Sequence, residues 1–124
     1  LCNHSEEGDT NCIGIFNTEV KLFPSVEPSS KNKVQNPTFK IPQIGWNTLA
    51  ELNSKLFTGI KENEYMYFVH SYYAEKCINT ISVTNYEFDY SSALQKNNFY
   101  GVQFHPESIM TPEGPKIIEN WLKH

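Results

Sequence analysis

Apolar and polar positions along this chain alternate in short bursts rather than long helical periods, and the bursts predict a protein built mainly of strands. Residues 13–16 and 19–23 are two β-prone runs around Asn17-Thr18, and 24–37, rich in Ser, Pro, Asn and Lys, reads as an exposed loop. Residues 41–46 read as a strand or extended turn, Leu56-Phe57 as a short apolar plug, and 65–69 as an aromatic strand with Tyr67 and Val69 in the core. Further strands are expected at 80–84, 92–95 and 99–104. The last two are joined by Lys96-Asn97-Asn98, a hairpin turn that makes part of the sheet antiparallel. Only two stretches read as helical. Residues 1–5 look like a helix tail stopped by Glu6-Glu7-Gly8-Asp9. Residues 113–123 carry apolar side chains at 117, 118, 121 and 122, a spacing that buries one helical face, with Thr111 and Pro112 as start signals.

No repeat, heptad or internal boundary divides the 124 residues, so residues 1–124 are read as one domain or most of one. The C-terminal order of strand, loop and helix is that of an α/β protein, whose open sheet gathers its chemistry at the carboxyl ends of strands. A net charge of −4, with 10 Lys and Arg in no cluster, argues against a nucleic-acid surface and for a small-molecule or protein partner. No apolar stretch is long enough to span a bilayer and no signal-peptide pattern opens the chain, which makes the cytoplasm the default location. The start at Leu1-Cys2-Asn3, without an initiator Met, reads as that of a C-terminal fragment. Cys2, Cys12 and Cys77 form neither an even disulfide framework nor a CxxC spacing, so reduced thiols are expected. Cys2 with His4 lacks two further metal ligands at a recognisable spacing, so no metal is expected. The sequon Asn3-His4-Ser5 is discounted as a chance triplet.

The densest chemistry lies in Gly-Val-Gln-Phe-His-Pro-Glu at 101–107. Residues two apart in an extended segment project to the same side, and Pro106 stiffens the link, so His105 and Glu107 can stay paired. An imidazole that takes a proton from a thiol or hydroxyl works best when a third group fixes its tautomer and stabilises the imidazolium. His105 and Glu107 fit those two roles, although the nucleophile is not evident in the chain.

Phe-His-Pro-Glu after an apolar strand resembles the C-terminal signature of the class I glutamine amidotransferases. Two further stretches, Lys-Ile-Pro-Gln-Ile-Gly-Trp-Asn-Thr-Leu at 40–49 and Tyr-Met-Tyr-Phe-Val-His-Ser-Tyr-Tyr at 65–73, resemble the glutaminase subunits of imidazole glycerol phosphate synthase, in order and in spacing. Leu-Cys-Asn-His-Ser-Glu-Glu-Gly at 1–8 resembles the stretch just after that family's Gly-x-Cys-x-Gly nucleophile elbow, and Ile13-Gly14-Ile15-Phe16 continues the likeness.

The resemblance implies a flavodoxin-like open sheet whose N-terminal strands, elbow and oxyanion hole lie outside this chain. It makes His105 the general base and Glu107 its orienter, acting on an upstream cysteine that attacks the side-chain amide of glutamine. Cys2 is then a structural thiol in the helix after the elbow, and the chain alone is expected to be inactive and prone to aggregate. His70, Ser71 and Tyr72 match the segment that holds the α-amino and carboxylate groups of glutamine. Gln43, Trp46 and Asn47 match the segment facing a (βα)8-barrel cyclase subunit, which receives the ammonia for histidine biosynthesis. No cofactor is implied. Many family members carry His at the position of Gln43, and the family usually continues His-Pro-Glu-Lys-Ser-Gly. Here Ser-Ile-Met-Thr-Pro-Glu-Gly at 108–114 looks instead like anthranilate or aminodeoxychorismate synthase glutaminases. Either of those activities, or a noncatalytic remnant without its nucleophile, stands as an alternative.

Overall fold

The computed structural model describes residues 1–24 and 40–124. The expected loop at 24–37, apart from Pro24, lies outside the described residues. Among the described residues nine strands are seen: β1 (His4–Ser5), β2 (Thr10–Asn11), β3 (Glu19–Leu22), β4 (Gln43–Thr48), β5 (Tyr65–His70), β6 (Tyr72–Ala74), β7 (Thr80–Tyr86), β8 (Phe88–Lys96) and β9 (Phe99–Val102). They are followed by one helix, α1 (Gly114–Lys123), and a 3-10 turn at Lys55–Phe57 separates β4 from β5. The main sheet has the order β2-β1-β3-β6-β8-β7, with β9 also on β8, while β4 and β5 form a separate two-stranded sheet. It is a mixed open sheet. Among the described residues the one parallel pairing of strands is β1 with β3.

The N-terminal expectation is corrected. Residues 1–5 are extended, because their backbone groups are engaged by residues 12–18 rather than by their own next turn. Cys12 N–H donates to Asn3 C=O, Gly14 N–H to Cys2 C=O, Phe16 N–H to Leu1 C=O, and Asn3 N–H to Thr18 C=O. Residues 13–16 run beside this segment without forming a strand, and Ile13 points to solvent. Cys2 is buried, as expected of a structural thiol, but in extended chain rather than in a helix.

The phase of β5 also differs from expectation. Met66, Phe68 and His70 are buried, whereas Val69 is exposed and Tyr67 half-buried. A strand has period two, so a one-residue error of phase turns every side chain to the other face. The rings that carry hydroxyls, Tyr65 and Tyr67, take the outer face where the phenol reaches water, and the wholly apolar Met66 and Phe68 go inside.

Two clusters form the interior. The larger joins Phe23, Leu49, Leu56, Phe57, Met66, Phe68 and Tyr90 with Phe104 and Ile117, and the smaller joins Cys2, Phe16 and Leu94. Helix α1 buries Ile117 and Asn120, while Trp121 and Leu122 stay exposed, so the apolar face expected at 117, 118, 121 and 122 is covered only in part. Asn120 docks the helix by donating to the carbonyls of Leu56 and Thr58, each at 2.9 Å.

Candidate functional site

His105 and Glu107 meet as the sequence predicts. His105 Nδ1 lies 2.9 Å from Glu107 Oε1, with the two side chains 41% and 68% exposed. A carboxylate accepts only, so the imidazole donates from Nδ1, and it is Nε2 that carries the lone pair whenever the ring is neutral. Among the described residues no hydrogen bond is made to that nitrogen. The carboxyl group of Glu107 is held below its ordinary range, first by its own backbone N–H and then by His105. It therefore stays ionised, as an orienter must.

The segment beyond β9 is tied down at each alternate residue. Gln103 N–H donates to Ser92 C=O at 2.9 Å and His105 N–H to Tyr67 C=O at 3.0 Å, so the chain that carries the histidine leaves β8 and comes to rest against β5. Thr111, almost wholly buried, closes the loop that follows. Its hydroxyl donates to His105 C=O at 2.8 Å and accepts from Tyr67 N–H at 3.2 Å. At the start of α1, a Cβ built on Gly114 would fall on the Pro106 carbonyl, so only a hydrogen atom fits between helix and loop. Sequence reasoning treats Thr111 as a helix start signal and does not single out Gly114. Here both support the backbone of the His105-Glu107 pair.

His70, Ser71 and Tyr72 line a cavity of about 350 Å³ together with Glu7, Val20 and Gln103. Gln103, two residues before His105 in the chain, brings the segment that carries the pair to the wall of this cavity. Ser71 C=O accepts from Phe23 N–H at 3.0 Å. The His70 side chain is turned inward. Its Nδ1 is 2.7 Å from Tyr72 C=O, and its Nε2 is 2.9 Å from the Gln43 amide and 3.1 Å from the Tyr90 hydroxyl. Burial pushes its pKa below the ordinary value, against the raising effect of the Tyr72 carbonyl, with His105 adding to the downward push. Burial likewise drives the Tyr90 phenol far above its usual range.

The three residues expected at a partner surface separate. Gln43 is buried, which corrects the expectation: its amide is spent on His70 and, at 2.8 Å, on the Tyr90 hydroxyl. Asn47 is bonded within the fold, donating to Asn85 C=O at 2.8 Å and accepting from Thr48 N–H. Trp46 is 56% exposed, and Ile44 on the same face of β4 is exposed as well. The Trp46 indole N–H donates to Met110 C=O at 2.7 Å and its ring stacks edge-on with Tyr67 at 5.6 Å, linking β4 to the turn after Glu107.

Cys2 belongs to the smaller core cluster and the half-buried Cys77 packs against it, and among the described residues no cysteine is hydrogen-bonded to His105. Burial raises the Cys2 thiol pKa, the opposite of what a nucleophile needs. No group of three or more His, Cys, Asp and Glu among the described residues is arranged to hold a metal ion, and no helix there is long and apolar enough to cross a membrane.

Residues 15–124 match the sequence profile described as glutamine amidotransferase class-I. The imidazole glycerol phosphate synthase subunit HisH of Bacteroides thetaiotaomicron is 43% identical over 122 residues, covering 98% of this chain and 57% of that protein. HisH of Bacteroides fragilis is 42% identical over 123 residues, covering 99% of this chain and 58% of the relative. HisH 2 of Methanococcus maripaludis is 40% identical over 126 residues, covering 99% and 57%. The chain thus spans a little over half the length of the curated relatives it matches.

Proposed function

Since this chain belongs to the class I glutamine amidotransferase family, we propose that it is the C-terminal part of a flavodoxin-like glutaminase domain. In this reading the whole protein hydrolyses glutamine and delivers ammonia to the cyclase subunit that makes imidazole glycerol phosphate. The observation that carries it is the His105-Glu107 pair at 2.9 Å, on the segment whose Gln103 lines a cavity with Ser71 and Tyr72. The choice of synthase rests on the relatives, which bear the name of that enzyme's subunit and align over nearly all of this chain. Those alignments favour it over the anthranilate or aminodeoxychorismate reading of the 108–114 tail.

The chemistry needs a thiolate that these residues do not place beside His105, so the nucleophile is assigned to a cysteine of the full-length gene product outside residues 1–124. His105 Nε2 takes the thiol proton as sulfur adds to the glutamine carboxamide, and returns it to the departing ammonia. The resulting thioester is cleaved by water, whose proton His105 accepts before passing it to the sulfur as glutamate leaves. Glu107 keeps the imidazole in the tautomer that both half-reactions use. Ser71 and Tyr72 hold the amino-acid end of the substrate, and the exposed Trp46–Ile44 face of β4 meets the (βα)8-barrel partner. No cofactor enters the scheme, and the cytoplasm is its location.

The test is the coding sequence around this segment, followed by glutamate release from the full-length product with its synthase partner. A Gly-x-Cys-x-Gly elbow preceding Leu1, with turnover that depends on that cysteine, is expected. An elbow with its cysteine replaced, and no turnover, would make the protein the noncatalytic alternative.

A further inference from the structure

We infer that His70 is a positioning residue: its buried imidazole clamps the corner between the two sheets, and so holds Ser71 and Tyr72 facing the cavity. Strand β5 ends at His70 and β6 begins at Tyr72, so Ser71 alone spans the passage from the two-stranded sheet to the main one. So short a corner has no ladder of its own to define its angle. It is fixed instead by two bonds, Phe23 N–H to Ser71 C=O at 3.0 Å and His70 Nδ1–H to Tyr72 C=O at 2.7 Å.

The remaining ring nitrogen ties the same imidazole to both sheets at once. Nε2 reaches Gln43 on β4 and Tyr90 on β8, at 2.9 and 3.1 Å. Because the Tyr72 carbonyl only accepts, Nδ1 carries the proton and Nε2 of a neutral ring only accepts, from the one Tyr90 O–H once that proton turns away from Gln43 Oε1, toward which it is placed at 2.8 Å. A half-turn of the Gln43 amide, which exchanges atoms of nearly equal size, supplies an N–H to the same cluster. Phe23, Tyr90 and Phe68 enclose the ring, with centroids 5.2, 5.4 and 5.7 Å away, so little water is at hand to replace a lost bond. Both ring nitrogens are engaged inside the fold. His70 therefore acts on a substrate through its neighbours and not by touching it, which revises the contact role expected from the sequence. That the cavity takes glutamine rests on the proposed function, whereas the geometry of the corner does not.

Two variants of the full-length product, assayed with its synthase partner, separate clamping from mere filling. His70→Asn keeps an N–H near the place of Nδ1, while His70→Gln carries its amide out toward Nε2 and leaves the Tyr72 carbonyl bare. Loss of one buried hydrogen bond is expected to raise the KM for glutamine about tenfold in H70Q, with kcat within about twofold. H70N is expected to restore KM to within about threefold of wild type. Equal rises in both variants, or a fall in kcat at constant KM, would overturn the inference. Ring NMR of the wild type decides it without any turnover, including where H70Q does not fold. A neutral ring protonated on Nδ1, with a slowly exchanging proton, is the expected signature, and a ring protonated on Nε2 alone refutes it. Absence of glutaminase activity in the wild type would count against the glutamine reading and leave this measurement standing.

Discussion

His70 and His105 are the same side chain in contrasting surroundings, which suit it to opposite uses. Around His70 both ring nitrogens are bonded, the ring is packed among aromatics, and its pKa is pushed down. Around His105 one nitrogen is paired with an ionised carboxylate and the other is open on a ring 41% exposed. A proton carrier must be reachable and must gain and lose charge cheaply, and a strut must do neither. Burial and the number of engaged nitrogens tell the two apart, where residue type does not.

The largest effect that would break this contrast is expected at the carrier. His105→Ala should lower glutamine turnover of the full-length enzyme by about 10²- to 10⁴-fold while leaving the denaturation midpoint close to wild type. Near-normal turnover would remove His105 from the chemistry. Next comes the backing of its loop. Gly114→Ala sets a methyl group against the Pro106 carbonyl, and should cost about 1–3 kcal/mol in denaturant unfolding and displace the 105–107 loop. An unchanged midpoint would mean that helix and loop separate freely.

A smaller change sharpens the comparison by removing charge alone. Glu107→Gln keeps a hydrogen-bond acceptor but loses the carboxylate, and is expected to slow turnover about ten- to a hundredfold, the equivalent of one charge-assisted bond. Equality with wild type would make Glu107 a bystander. The smallest effect is on pH dependence. His70 has its folded-state pKa below 6.5, so as pH falls beneath that value the unfolded chain binds a proton that the folded one does not. Its contribution to stability is whole above about pH 6.5 and is lost as pH drops toward the lowered value. Melting midpoints at pH 7.5 and 5.5 should therefore differ more in wild type than in His70→Asn, and parallel slopes would show that the ring takes up its proton freely.

The pairing of His105 with Glu107 was legible in the sequence and the cluster around His70 was not. His105 and Glu107 stand two apart in extended chain, a local relation that any structure with an extended segment there preserves, and they meet as read. The hairpin at 96–98 was legible for the same reason, with Asn97 supplying the positive φ of 55° that the turn needs. By contrast, β6 follows β5 after a single Ser with neither Gly nor Pro, and nothing local marks a change of sheet. The cluster of His70, Gln43 and Tyr90 joins three strands far apart in the chain, so no spacing rule reaches it. The phase of β5 was hidden by its unbroken aromatic character, although the phenols at 65 and 67 carried the signal. The paired ends of residues 1–5 depend on partners at 12–18 and leave no periodicity to read.

The contact of Gly114 with Pro106 has a consequence for how such a site can change over generations. Where two elements meet through bare backbone, no side chain remains whose size can be adjusted by degrees to move the 105–107 loop nearer or farther. Variation at position 114 is all or nothing, so retuning of His105 and Glu107 is left to the far side of the loop, where Thr111 meets it through a side-chain hydroxyl open to gradual replacement.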